Sequence, residues 1–132
     1  MKIYVFGNLL IKEDSLPVRM INRLKKILPQ IDFKMVDPNE NFPPKGEKDL
    51  IILDTVFGIK KPMVLDLDFL ILSDGKKKTP ISPHDYDLLF HLVFLKKLKK
   101  INKVIIIGVP NVVKDELGLI NWVVRQINYF LG

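Results

Sequence analysis

The sequence predicts an α/β fold: a three-layer α/β/α sandwich around a mostly parallel sheet of about five strands, with one antiparallel edge strand. Three observations carry this. Strand-like and helix-like segments alternate along the 132 residues. Two of the strand segments, DLIILD (49–54) and KVIIIGVP (103–110), are apolar almost throughout, as strands covered on both faces must be. A third, MVLDLDFLIL (63–72), alternates Leu65, Leu67 and Phe69 with Asp66 and Asp68. That pattern gives it one wet face and marks it as an edge strand.

The remaining elements follow in order. KIYVF (2–6) is a β-rich run stopped by Gly7-Asn8. Asp14 or Ser15 can cap a helix that carries Pro17 in its first turn. Val18, Ile21, Leu24 and Leu28 then recur at helical spacing up to Pro29. DFKMVD (32–37) is a short second strand, and PNENFPPKGEK (38–48), with its prolines and glycine, is a loop. After the segment 63–72 comes another loop, SDGKKKTP (73–80). A long helix is expected from Pro83 to Lys100, and a last one over 115–131. No internal repeat or composition break divides the chain, so residues 1–132 read as one domain.

Composition narrows the function classes. Cysteine is absent, which excludes disulfides, thiolate metal sites and a cysteine nucleophile. The net charge is +6, from 21 Lys+Arg against 15 Asp+Glu. The positive charge falls in lysine runs such as 76–78 and 96–100, without the arginines and aromatics that line a nucleic-acid groove. These runs read as solvated faces able to attract an acidic partner, and no nucleic acid is expected. MKIYVFGN turns polar too soon for a signal peptide, and no apolar run approaches the ~20 residues of a membrane span. A cytoplasmic protein with no membrane partner is expected.

In open α/β sheets ligands bind beyond the carboxyl ends of the strands. Glu13 and Asp14 follow the first strand, Asp37 the second, and Asp54 ends the third. His84 sits in ISPHDY, where Ser82 can cap a helix that Pro83 begins. The positive end of that helix disfavours imidazolium and keeps the ring neutral, as a metal requires. Each residue has a plainer reading: Asp14 as an N-cap, Asp54 as a turn cap, His84 as an exposed first-turn residue. Together they set two carboxylates and one imidazole on one sheet edge. That donor set suits a borderline divalent ion such as nickel, zinc or manganese and leaves a coordination position open. His91, two turns below His84, reads as a histidine at the edge of the core, and Trp122 as packing.

Four pieces in order carry a resemblance over essentially the whole chain: Gly7-Asn8 with Glu13-Asp14 and Val18-Arg19, LIILD ending in Asp54, ISPHDYDL around His84, and VIIIGVPNVVKDELGL. They resemble the hydrogenase maturation endopeptidases, which trim the C-terminal tail of the nickel–iron hydrogenase large-subunit precursor. The resemblance implies the same three-layer fold. It implies Asp14, Asp54 and His84 as metal ligands, with Glu13 as the fallback if the register slips by one. Gly7 and Asn8 would contact substrate. Nickel would arrive in the substrate and be bound transiently, with no stably held cofactor. The attacking group stays open among Asp14, Asp54 and Asp37.

The sequence departs from the family pattern at Val5 and Pro17, where the family has glycine, and after Asp37, where Pro38-Asn39-Glu40 replaces a Gly-Gly pair. Those departures keep a second reading in play: a non-proteolytic paralogue that serves as a hydrogenase-associated or nickel-binding subunit. A third is a receiver-like signalling domain with Asp54 at the phosphorylated position.

Overall fold

The computed structural model describes residues 1–7, 10–36, 41–72 and 87–131. It contains β1 (Lys2–Val5), a 3₁₀ turn (Lys12–Asp14), α1 (Leu16–Ile27), β2 (Asp32–Met35), β3 (Leu50–Thr55), β4 (Met63–Asp66), α2 (Leu67–Leu72), α3 (Asp87–Lys97), β5 (Val104–Val109) and α4 (Glu116–Leu131). The sheet order is β2-β1-β3-β5-β4. β1 pairs in parallel with β2 and β3, β3 pairs in parallel with β5, and β4 closes the edge antiparallel to β5. The expected sandwich with an antiparallel edge strand is therefore present.

Alternation along the strands divides the core in two. Ile3, Val5, Leu53, Ile107 and Val109 face α1 and α4, packing on Met20, Leu24, Leu119 and Val123. Tyr4, Leu50, Ile52, Val104 and Ile106 point the other way, toward Leu67 and Leu70 of α2 and Leu89 and Leu92 of α3. Each fully buried aliphatic side chain contributes roughly 1.5–3 kcal/mol. Both faces of β3 and β5 are covered, which is why their sequences are apolar throughout. Arg19 of α1 reaches Glu116 of α4 at 3.3 Å across the outer surface.

One expected element is corrected. Residues 63–72 are not a single strand: β4 stops at Asp66 and α2 begins at Leu67. The Asp66 carboxylate accepts a hydrogen bond from the Asp68 amide at 3.0 Å and so caps the new helix. The face it buries is set by Leu67 and Leu70, while Phe69 is 61% exposed. The alternation of Leu65, Leu67 and Phe69 is thus accidental, because the helical pair Leu67 and Leu70 fits the same letters. The sheet edge was placed correctly.

The helix expected over 83–100 runs from Asp87 to Lys97 within the described residues. It closes with Lys99 in the left-handed region (φ 59) and the Lys100 amide bonded to the Leu95 carbonyl at 3.0 Å. That is the Schellman pattern without its usual glycine.

Candidate active site

The chain reverses its direction of winding at β1 and β3. From β1 it goes outward to β2, then returns to the other side as β3. The carboxyl ends of β1 and β3 therefore border the crevice where ligands bind in such sheets. They are held side by side: Val5 is in register with Leu53, and the Phe6 amide donates to the Leu53 carbonyl at 2.9 Å.

Asp54 follows Leu53 at this edge and is 7% exposed. A carboxylate so deeply buried needs hydrogen-bond partners. Its Oδ1 accepts from the Thr55 amide at 2.8 Å. Asp54 faces Gly108 across the β3–β5 pair, so no neighbouring side chain of β5 crowds it at that register.

Asp14 reaches the same edge by a different route. Its main chain packs on Gly7, the second residue after β1. A Cβ built on Gly7 would lie 2.7 Å from the Asp14 carbonyl oxygen and 2.9 Å from Val18 Cγ2. Only glycine permits that approach. The 3₁₀ turn is therefore pressed against the end of β1, next to β3, the strand that carries Asp54. Asp14 caps no helix: α1 begins after Ser15, whose hydroxyl instead donates to the Lys12 carbonyl at 2.9 Å and accepts from Arg19 Nε at 3.1 Å. Among the described residues the Asp14 side chain has no hydrogen bond or ion pair. Burial pushes its carboxyl pKa above the ordinary value.

The structure thus brings Asp14, Asp54 and Gly7 to one edge, while Glu13 is exposed on the outer side of the same turn. His84, Asn8 and Asp37 lie outside the described residues. Among the described residues no three His, Asp or Glu side chains gather as a metal-ligand group. His91 is corrected: it is exposed, not at the edge of the core, and its Nε2 donates to the Phe42 carbonyl at 3.0 Å. That bond ties down a loop whose Phe42 ring stacks edge-on against Tyr4 and Phe6. Trp122 packs against the α1/α4 core as expected.

Sequence reading missed Thr55. It is 2% exposed and its Oγ1 has no hydrogen-bond partner among the described residues. A hydroxyl buried unpaired costs about 1–3 kcal/mol. The available signal was a threonine directly after an aspartate at the end of an apolar strand.

The receiver reading does not survive the topology. Receivers are wound 2-1-3-4-5; here β5 lies between β3 and an antiparallel β4. Comparison with protein-family models finds no match, and neither does comparison with curated proteins. Among solved structures the chain is similar to an endopeptidase from Escherichia coli. The TM-score is 0.56 and the identity 21%, over 96% of this chain and 90% of that one. At this identity the likeness establishes a shared fold. Among the described residues no helix is long and apolar enough to cross a membrane.

Proposed function

We propose that the protein is an endopeptidase that removes the C-terminal tail of a nickel–iron hydrogenase large-subunit precursor. The observation that carries this reading is the convergence of Asp14 and Asp54 on the carboxyl edge at the switch point of the sheet. One carboxylate is deeply buried, and the other is half-buried with no side-chain partner among the described residues. Two carboxylates at one edge, Asp14 among them uncompensated by any described residue, are suited to meet a cation. The fold shared with an endopeptidase supports the same class of reaction.

In this reading the cation is nickel already installed in the substrate. Asp14 and Asp54 supply oxygen ligands, and His84 supplies a nitrogen. Three protein ligands leave the rest of the coordination shell to the substrate, and so make the site a reader of metal, not a store of it. Nickel held there would polarise the scissile carbonyl, and a carboxylate among Asp14, Asp54 and Asp37 would take the proton of the attacking water. Gly7 sets the distance between β1 and the turn carrying Asp14, and in this reading Gly7 and Asn8, the next residue in sequence, contact the peptide.

The paralogue reading is favoured by Val5 and Pro17. Both are buried parts of the core, so neither leaves the open backbone that a glycine would give. Matched precursors with and without nickel decide between the readings, with the released tail weighed by mass spectrometry. Cutting confined to the nickel-loaded precursor is expected. Equal cutting of both removes nickel reading while keeping a protease, and no cutting of either leaves the non-proteolytic subunit.

A further inference from the structure

The carboxyl edge carries a second feature. A groove of about 610 Å³ opens between the loop after β3 and the start of α4. Its walls include Lys60, Lys114, Arg125, Asp115, Val113 and Trp122. Pro110, which directly follows β5, also lines it, and Gly108 of β5 is the register partner of Asp54. The groove therefore opens at the carboxyl end of β5, the strand paired with β3, and extends over α4.

Its charge is unbalanced. The ion pairs among the described residues join Lys2 to Glu47, Arg19 to Glu116, Lys96 to Asp68 and Lys103 to Asp66. None of them uses Lys60, Lys114 or Arg125. The groove's carboxylate, Asp115, is committed elsewhere: its Oδ1 accepts from the Gly118 amide at 2.9 Å and caps α4. Gly118 makes that possible, since a Cβ there would lie 2.3 Å from Asp115 Oδ2. Three cations on the walls thus face one carboxylate already occupied by the helix start. Between them lies an apolar floor of Val113, Leu119 and Trp122.

We infer that this groove seats an acidic peptide segment bearing an apolar side chain, the stretch of substrate adjoining the scissile bond. The inference rests on the endopeptidase reading for the identity of that segment. The cations take its carboxylates, and Trp122 with Val113 takes its apolar side chain. A basic segment meets like charge on three sides and is rejected.

Trp122 is the chain's single tryptophan and reports on the groove directly. An acetylated, amidated Glu-Leu-Glu-Glu peptide is titrated into the full-length protein while Trp122 emission is followed. A Lys-Leu-Lys-Lys peptide and oligothymidylate serve as comparisons. A saturable, salt-sensitive change is expected with the acidic peptide alone. Lys114→Gln and Arg125→Gln should each weaken it roughly two- to fivefold, as for exposed charge pairs. Both residues are exposed, so circular dichroism should be unchanged. No emission change, equal binding of the basic peptide, or tighter binding of oligothymidylate each overturns the inference. On a precursor that is cut, the same variants should raise KM and leave kcat alone. Unchanged KM defeats the groove and spares the protease, whereas peptide binding without any cutting defeats the protease and spares the groove.

Discussion

Two pairs of aspartates occupy two edges of this sheet, and their surroundings differ. Asp66 and Asp68, at the β4–α2 junction, have lysine partners: Lys103 Nζ lies 2.6 Å from Asp66 and Lys96 Nζ 3.0 Å from Asp68. Burial alone would raise the Asp66 carboxyl. Its hydrogen bonds with Lys103 and the Asp68 and Phe69 amides outweigh that and hold its pKa below the ordinary value. Asp14 has no such cation among the described residues and is pushed up by burial, while Asp54 is deeply buried and accepts from the Thr55 amide. In sequence all four are acids at or near strand ends. The difference is that lysines of the protein neutralise the first pair, while in the second Asp14 leaves negative charge for something else to neutralise. An acid at a strand end is informative about function only once its partners are known.

The largest expected consequence concerns activity. Asp54→Asn keeps an oxygen to accept from the Thr55 amide but removes the charge. Cleavage of the nickel-loaded precursor should fall by roughly two to four orders of magnitude, the range for a positioned acid–base or metal-bound group. Asp66→Asn should leave the cleavage rate unchanged. Single-turnover assays on both variants test the contrast directly, and equal losses would erase the distinction between the two pairs.

A smaller effect is expected from the glycine that positions Asp14. Gly7→Ala puts a methyl against main-chain oxygen of the 3₁₀ turn, which cannot rotate away as a side chain would. Overpacking of this kind costs about 1–3 kcal/mol. Denaturant melts should report that loss, and cleavage should fall with it because Asp14 is moved. Full stability in Gly7→Ala would mean that the turn is not pressed on β1.

Much of this arrangement was legible in the letters. β3 and β5 were recognisable because both faces of each are buried, and that single constraint shows as continuous apolar runs. Asp54 and the Gly7–Asp14 neighbourhood followed from where those runs stop. The strand-to-helix switch at Asp66 was not legible, because Leu65, Leu67 and Phe69 satisfy a two-residue period while Leu67 and Leu70 satisfy a helical one. Only the Asp66 cap decides between them. The groove was hidden for another reason. Lys60, Lys114 and Arg125 are far apart in sequence, and Lys60 stands in the pair Lys60-Lys61, a short lysine run of the kind that reads as solvated surface. Their convergence is produced by the order of the strands, which no local pattern records.

The smallest effect is a pair of pH profiles of opposite sign. Asp66, with its depressed pKa, stabilises the native state at neutral pH; that contribution is lost as pH falls below 3.8 and through the folded-state value. Asp14, with its raised pKa, binds its proton more tightly when folded. Its favourable contribution is therefore present below 3.8 and lost as pH rises through the folded-state value. At neutral pH Asp66→Asn should be less stable than the parent and Asp14→Asn more stable. Each difference should be under about 1 kcal/mol, since both carboxylates still meet solvent. On acidification the Asp14→Asn gain should close first, above pH 3.8, and the Asp66→Asn deficit only below it. Thermal melts of the three proteins across the acid range give both curves. Destabilisation by Asp14→Asn at neutral pH would mean that Asp14 already has a partner in the native protein, and the contrast between the two edges would fail.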